Sequence, residues 1–219
     1  MNAKLVSITQ PCADLVEQGI ITADDLIAYC ARVSNPSNQL NTETAPRLLA
    51  YCIRHGHWSV FETASMTVEV ETSRAIAAQL LRHRSFTFQE WSQRYAESTK
   101  FEEVELRLQD KKNRQASGEL CDNLEFAYEV LEAVHVSFDV YNRLVEAGVS
   151  KETARMVLPL CTSTRLYVTG NVRSWIHYFD QRCAEHTQKE HRELANLIKE
   201  IFAKQFPNVF NAINRQSPA

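Results

Sequence analysis

Glycine is scarce in this chain, with five residues in 219: Gly19, Gly56, Gly118, Gly148 and Gly170. No GxGxxG and no GxxxxGK(S/T) can be assembled from those positions, which excludes the usual Rossmann and P-loop nucleotide sites. Any nucleotide bound here has to be held by side chains, arginine above all. Long apolar runs are also missing: none reaches the ~20 residues needed to span a bilayer. The opening MNAKLVSITQP lacks the apolar core of a signal peptide. Six cysteines (Cys12, Cys30, Cys52, Cys121, Cys161, Cys183) contain no CxxC pair, so they read as reduced thiols of a cytoplasmic protein. An excess of positive charge is absent too. The net charge of -3 argues against bulk electrostatic binding of nucleic acid, while leaving room for a local basic pocket.

What is present is ordinary globular material. Hydrophobic residues at 44% and charged residues at 23% can build a substantial core in one domain spanning residues 1–219. Residues 4–9 alternate as a strand ended by Pro11, and 65–71 (SMTVEVE) places Met66, Val68 and Val70 on one side of another. Thr22 with Asp25 predicts a helix start, and a second helix is expected from about residue 44 to Gly56. A long helix should run from about 120 to Gly148, with two apolar stripes and a narrow polar face, buried within a bundle or against another subunit. Ser150 is expected to cap a short helix before Pro159, residues 165–169 to form a strand, and 172–183 a helix. Thr187 and Glu190 read as a capping box for a C-terminal amphipathic helix running toward Pro207. Residues 97–119, polar and mixed in charge, read as a solvated excursion. The fold class is therefore α+β: a small, mainly antiparallel sheet packed with a helical layer around one long helix. His55 with His57, and His186 with His191, lack the spacing of metal ligands, so no metal site is expected.

Much of the polar chemistry is gathered in one stretch, RHRSFTFQEWSQRY, from Arg82 to Tyr95. The apolar run before it (Ile76, Ala77, Ala78, Leu80, Leu81) predicts a core helix delivering the cationic triplet to its C-terminal end. Gln79, Arg82 and His83 stand at i, i+3 and i+4, so they can share one face. If the piece from Gln89 is extended, Glu90, Ser92 and Arg94 point one way and Trp91, Gln93 and Tyr95 the other. Such converging cations with a carboxylate suit an anionic ligand rich in hydrogen-bonding groups.

This stretch resembles the RHRxxSxNExSxRY signature of flavin-dependent thymidylate synthases. Arg82, His83, Arg84, Glu90, Ser92, Arg94 and Tyr95 match, while Thr87 and Gln89 replace Ser and Asn. Three further segments agree in order. Gly56, His57, Ser59, Phe61 and Glu62 match a GHxSxFEH-like segment, with Thr63 at its last His; Arg155 precedes a VLPL-type run; and Asn171, Arg173, Ser174 and Arg182 match an NxRS…R element. The resemblance implies reductive methylation of dUMP to dTMP, with methylenetetrahydrofolate as carbon donor, NADPH as reductant and FAD as cofactor. It also implies a homotetramer whose active sites form where subunits meet.

By the same resemblance Arg182 activates the uracil ring, and Gln79, Arg82, Glu90, Ser92, Arg94 and Arg155 bind dUMP. His57, Ser59, Arg82, His83, Arg84, Glu90, Asn171, Arg173 and His177 hold FAD. A guanidinium beside the ring stabilises charge developing on a carbonyl oxygen, and fork-shaped donors suit the phosphate. Ser92 has no legible base partner and is assigned to binding. Two rival readings remain: a nucleic-acid module using Arg82–Arg84 with Phe86, Phe88 and Trp91 as stacking platforms, and an inactive homologue of the same fold, to which Thr63, Thr87 and Gln89 point.

Overall fold

The structure, a computed structural model, describes residues 1–214. Strand β1 (Asn2–Ile8) leads into helices α1 (Ala13–Glu17) and α2 (Ala23–Ala31). The predicted start of α2 is a complete capping box: Thr22 Oγ1 accepts from the Asp25 N–H, and Asp25 Oδ2 accepts from the Thr22 N–H at 3.0 Å. Helix α3 (Ala45–Arg54) buries Leu49, Cys52 and Ile53 and runs out at Gly56, whose φ of +68° is open to glycine at no steric cost. Strand β2 (Ser65–Ser73) follows, then α4 (Arg74–Leu80), β3 (Thr87–Glu90), and a hairpin of β4 (Arg107–Gln109) and β5 (Ser117–Leu120). The long helix α5 (Leu124–Glu146), the short α6 (Lys151–Ala154), β6 (Ser163–Asn171), α7 (Val172–Arg182), α8 (Lys189–Gln205) and α9 (Pro207–Asn214) complete the described chain.

The α+β architecture expected from the pattern is present. Four strands pair antiparallel in the order β1-β2-β6-β3. β2 and β6 match along their whole length, from Ser65 opposite Asn171 to Ser73 opposite Ser163. Alternation does the rest. Met66, Val68, Val70, Leu166 and Val168 face a core built with α2, α3, α7, α8 and α9, while Lys4 and Glu69 pair on the opposite face at 2.8 Å. Among the described residues no helix is long and apolar enough to cross a membrane.

Four local expectations are corrected. The strand through the RHR stretch stops at Glu90, and Ser92 turns the chain, accepting from the N–H groups of Tyr95 and Ala96. Residues 97–119 are no mere solvated excursion, because they contain most of the β4–β5 hairpin, and Arg107 in it ion-pairs with Glu105 and Glu190. Thr187 and Glu190 form no capping box: Thr187 Oγ1 donates to the Gln181 carbonyl instead, and Glu190 is taken by Arg107. Ser150 precedes α6 but caps no backbone N–H; its hydroxyl meets Thr153 Oγ1 at 2.9 Å. The long helix starts at Leu124, capped by Asn123. It buries Val134, Phe138 and Tyr141, and leaves Leu124, Phe126, Leu131 and Val136 exposed.

One buried carboxylate ties the ends of the chain together. Asp24, in the first turn of α2, is fully buried and accepts from the Asn208 N–H at the start of α9 (2.7 Å), while its Oδ1 has no partner among the described residues. Burial pushes its carboxyl up from 3.8 to about 6, against the opposing pull of the Asn208 and Val209 backbone N–H groups. The folded-state value lies above the unfolded one. Its favourable contribution is therefore full below pH ~4 and lost as pH rises through about 6. At about 1.4 kcal/mol per pH unit, the swing is roughly 3 kcal/mol. Asp24→Asn keeps an oxygen for Asn208 but cannot ionise. Thermal melts from pH 4 to pH 7 should therefore show the wild type losing stability relative to this variant. Parallel curves for the two proteins would refute the assignment.

Candidate active site

Helix α4, capped by the Ser73 hydroxyl at the Ile76 N–H, ends in a tightened turn where the Arg82 and His83 N–H groups bond the Gln79 and Leu80 carbonyls. The triplet thereby splits: His83 turns inward and is buried, while Arg82 and Arg84 stay exposed. His83 packs edge-on against Tyr178 with ring centroids 5.1 Å apart, and its Nε2 accepts from Arg182 Nε at 2.8 Å. Burial, followed by the charges of Arg182 and His177, pushes the imidazole down to about 4, so it is neutral near pH 7. With Nε2 accepting, its proton sits on Nδ1. Arg182, at the last turn of α7, is held through Nε, and among the described residues its terminal nitrogens make no hydrogen bond.

A second group forms after β3. Arg94 reaches Glu152 of α6 through Nε and Nη2 (2.9 and 2.8 Å), and Arg155 Nε donates to the Glu152 carbonyl at 3.3 Å. Arg94 and Glu152 are largely exposed, so this pair is worth about 0–1 kcal/mol. A weak exposed pair of this kind leaves the Arg94 guanidinium free to exchange its carboxylate for another anion at little cost. Glu90 is committed within the chain: its Oε1 meets Arg74 Nη1 at 3.1 Å and accepts from Thr164 Oγ1 at 3.0 Å. Glu90 and Ser92 line a pocket of about 400 Å³ with Trp91, whose ring lies 5.2 Å beneath the Arg165 guanidinium.

The third group lines a cleft of about 570 Å³ beside α7, walled by Trp58, Glu62, Ser85, Arg173 and His177. Asn171 also opens onto it while capping α7, its Oδ1 accepting from the Ser174 N–H at 2.8 Å. Arg173 pairs with Glu62, and His177 Nε2 lies 3.0 Å from the Gln181 amide. Ser59 stands on the 3-10 turn Trp58–Glu62, and His57 precedes it, 5.8 Å from the Tyr51 ring. An aromatic wall with arginine, histidine and amide donors is a chemically suitable cradle for a ligand that carries both a ring system and a pyrophosphate. The residues expected around one site thus fall into three groups, and Arg94 and Arg155 do not line the α7 cleft.

Two contributors escaped the sequence reading. In the sequence Gly170 is only one of the few glycines, yet a Cβ there would stand 2.4 Å from Phe86, the buried ring that follows the RHR triplet. His191 stands out there only by its spacing from His186, wrong for a metal site. It is fully buried, its ring nitrogens on Tyr178 Oη (3.2 Å) and Gln79 Oε1 (3.1 Å). Its legible signal was its place on the core stripe of α8, in helical step with Leu194, Ile198 and Phe202.

Residues 16–208 match the family described as "Thymidylate synthase complementing protein". A "Probable flavin-dependent thymidylate synthase" of Paramecium bursaria Chlorella virus 1 is 51% identical over 218 residues, covering 98% of this chain and 99% of the relative. A "Flavin-dependent thymidylate synthase" of Synechocystis sp. is 48% identical, covering 97% and 99%. Among solved structures, the UMP/dUMP methylase PolB of Streptomyces cacaoi, bound with 5-Br dUMP, superposes with a TM-score of 0.81 at 28% identity, covering 98% of this chain and 94% of that one.

Proposed function

Because the chain belongs to the family of flavin-dependent thymidylate synthases, we infer that it methylates dUMP to dTMP, taking the carbon from methylenetetrahydrofolate. The observation that carries this reading is the likeness over nearly the whole chain at about half identity. Neither rival reading gains support from it. The chemistry FAD supplies when bound is hydride transfer, with NADPH as the source of reducing equivalents. No side chain here needs to be a nucleophile: among the described residues no cysteine lines the α7 cleft or the pocket of Glu90 and Ser92.

The protein's share is binding and electrostatics. Arg182, aimed by a neutral His83, is placed to stabilise negative charge developing on a uracil carbonyl as C5 becomes nucleophilic. Arg94 and Arg155 bind the dUMP phosphate, with Ser92, Arg82, Glu90 and Gln79 framing the nucleotide. Asn171, Arg173 and His177 in the α7 cleft, with His57, Ser59, Arg82, His83, Arg84 and Glu90, hold FAD. That Arg94 and Arg155 lie off the α7 cleft supports a site completed between subunits. The exposed apolar side chains of α5 (Leu124, Phe126, Tyr128, Leu131, Val136) support a homo-oligomer, the tetramer that the resemblance implies. Six unpaired cysteines suit a cytoplasmic setting.

The purified protein is expected to show a flavin absorption spectrum that dUMP perturbs. A colourless protein that takes up no added FAD would overturn the reading.

A further inference from the structure

We infer that His191 is a positioning residue for the reaction: through a hydrogen-bond chain of fixed direction, it holds the Gln79 amide with its remaining N–H turned toward the substrate. This rests on the reading above that Gln79 frames dUMP. An amide can flip, so what matters is what fixes its sense here. The chain begins at Glu190, which is bound by Arg107 of the β4–β5 hairpin. Burial pushes the Glu190 carboxyl up, but the bonds it accepts, that from Arg107 foremost, outweigh this and hold it below the usual carboxylate range. It is ionised near neutral pH and can only accept.

Gln188 must therefore present its amide nitrogen to Glu190 Oε2, at 2.9 Å. That leaves Gln188 Oε1 facing Gln79, 2.6 Å away, and obliges Gln79 to meet it with Nε2. Gln79 Oε1 then faces His191 Nδ1 at 3.1 Å, so this nitrogen carries the imidazole proton and donates it. The other ring nitrogen, Nε2, accepts from Tyr178 Oη at 3.2 Å. Burial favours this state at both ends: it pushes the Tyr178 phenol up, keeping it a donor, and pushes His191 down to about 3, keeping it neutral. Each link has one consistent polarity, set by a carboxylate that cannot donate.

The consequence falls on Gln79, which is half-buried at the end of α4, three residues before Arg82. Its oxygen is committed inward and one N–H is committed to Gln188. The remaining N–H can only donate, which suits an acceptor oxygen of dUMP (phosphate or carbonyl) and disfavours an amino group in its place.

The test is a double-mutant cycle on the flavin-loaded enzyme, with dUMP KM and kcat measured separately. His191→Leu is expected to raise the KM for dUMP about tenfold, the loss of roughly one well-made hydrogen bond, with kcat and flavin content close to wild type. His191→Asn, which keeps a donor near the Nδ1 position, should restore most of the KM, whereas His191→Gln, which reaches the Nε2 position, should not. In a Gln79→Leu background, His191→Leu should add nothing further. If His191→Leu does not fold, the Asn–Gln contrast alone decides. Equal KM values for those two variants would overturn the inference. So would a His191→Leu effect that persists in full without Gln79, because the role would then be structural. An unchanged KM in Gln79→Leu itself would overturn the assignment of Gln79 on which the inference rests, and the inference with it.

Discussion

Replacing Arg182 by alanine is expected to lower the rate of dTMP formation by about a hundredfold to a thousandfold, the range found when one preorganised donor to a developing oxyanion is removed. The size follows from how the side chain is held. A guanidinium that wandered in solvent would contribute little, but this one is half-buried and anchored through Nε to a neutral imidazole at 2.8 Å. Its terminal nitrogens are thus aimed before substrate arrives, with little reorganisation left for the reacting complex. Because Arg182 does not line the α7 cleft, flavin content should stay close to wild type while turnover collapses. Arg182→Lys should recover only part of the rate: it keeps the charge but cannot accept the same aim through Nε. The measurement is single-turnover dTMP formation with the flavin spectrum recorded on the same sample. Undiminished turnover in Arg182→Ala would remove this residue from the mechanism.

The arginines were legible because the chemistry leaves little choice. With no glycine loop available, a phosphate-bearing ligand must meet side-chain cations, and the resemblance to the family's motifs pointed to Arg82, Arg94, Arg155, Arg173 and Arg182. Among the elements that frame them, β2, β6 and α7 were legible too, since they have clean two-residue or helical periods. What the sequence could not convey was pairing. Thr187 and Glu190 stand at capping-box spacing, but a partner remote in sequence, Arg107, takes the carboxylate. A pattern local in sequence cannot show that competition. The same holds for His191, whose partners Gln79 and Tyr178 lie on two other helices. Residues 97–119 misled for a related reason: a charge-rich segment reads as solvated until the ion pairs that fold it back onto α8 are seen. Grouping was illegible as well. Arg94 lies on the turn after β3 and Arg155 opens a 3-10 turn, while the cleft residues sit along α7, and only the folded arrangement separates them.

Gly170→Val is expected to be the most damaging single change outside the polar site. Gly170 lies on β6 opposite Met66 of β2, in ordinary extended backbone, so the need for glycine is one of space. Any Cβ there would stand 2.4 and 2.5 Å from two carbons of the Phe86 ring, well inside contact distance. Phe86 has little freedom to retreat. It packs on Trp175 with centroids 4.5 Å apart and on Tyr178 at 5.9 Å, and the Trp175 indole N–H is itself tied to the Met66 carbonyl at 3.2 Å. Overpacking of this kind costs about 1–3 kcal/mol, or a fall in Tm of roughly 2–4 °C per kcal/mol in a chain of this size. The functional loss should exceed the loss of stability. Phe86 follows His83 by three residues, and the His83 ring contacts both Phe86 and Tyr178. A displaced Phe86 therefore moves the imidazole that aims Arg182, so turnover should fall in protein that is still folded at the assay temperature. Gly170→Ala should show the same effects more weakly. Adding Phe86→Leu to Gly170→Ala, which trims the obstructed ring, should return part of both Tm and rate, a coupling expected only between residues in contact. If Gly170→Val melts and turns over like the wild type, the tight packing of β6 against Phe86 has no part in holding the site.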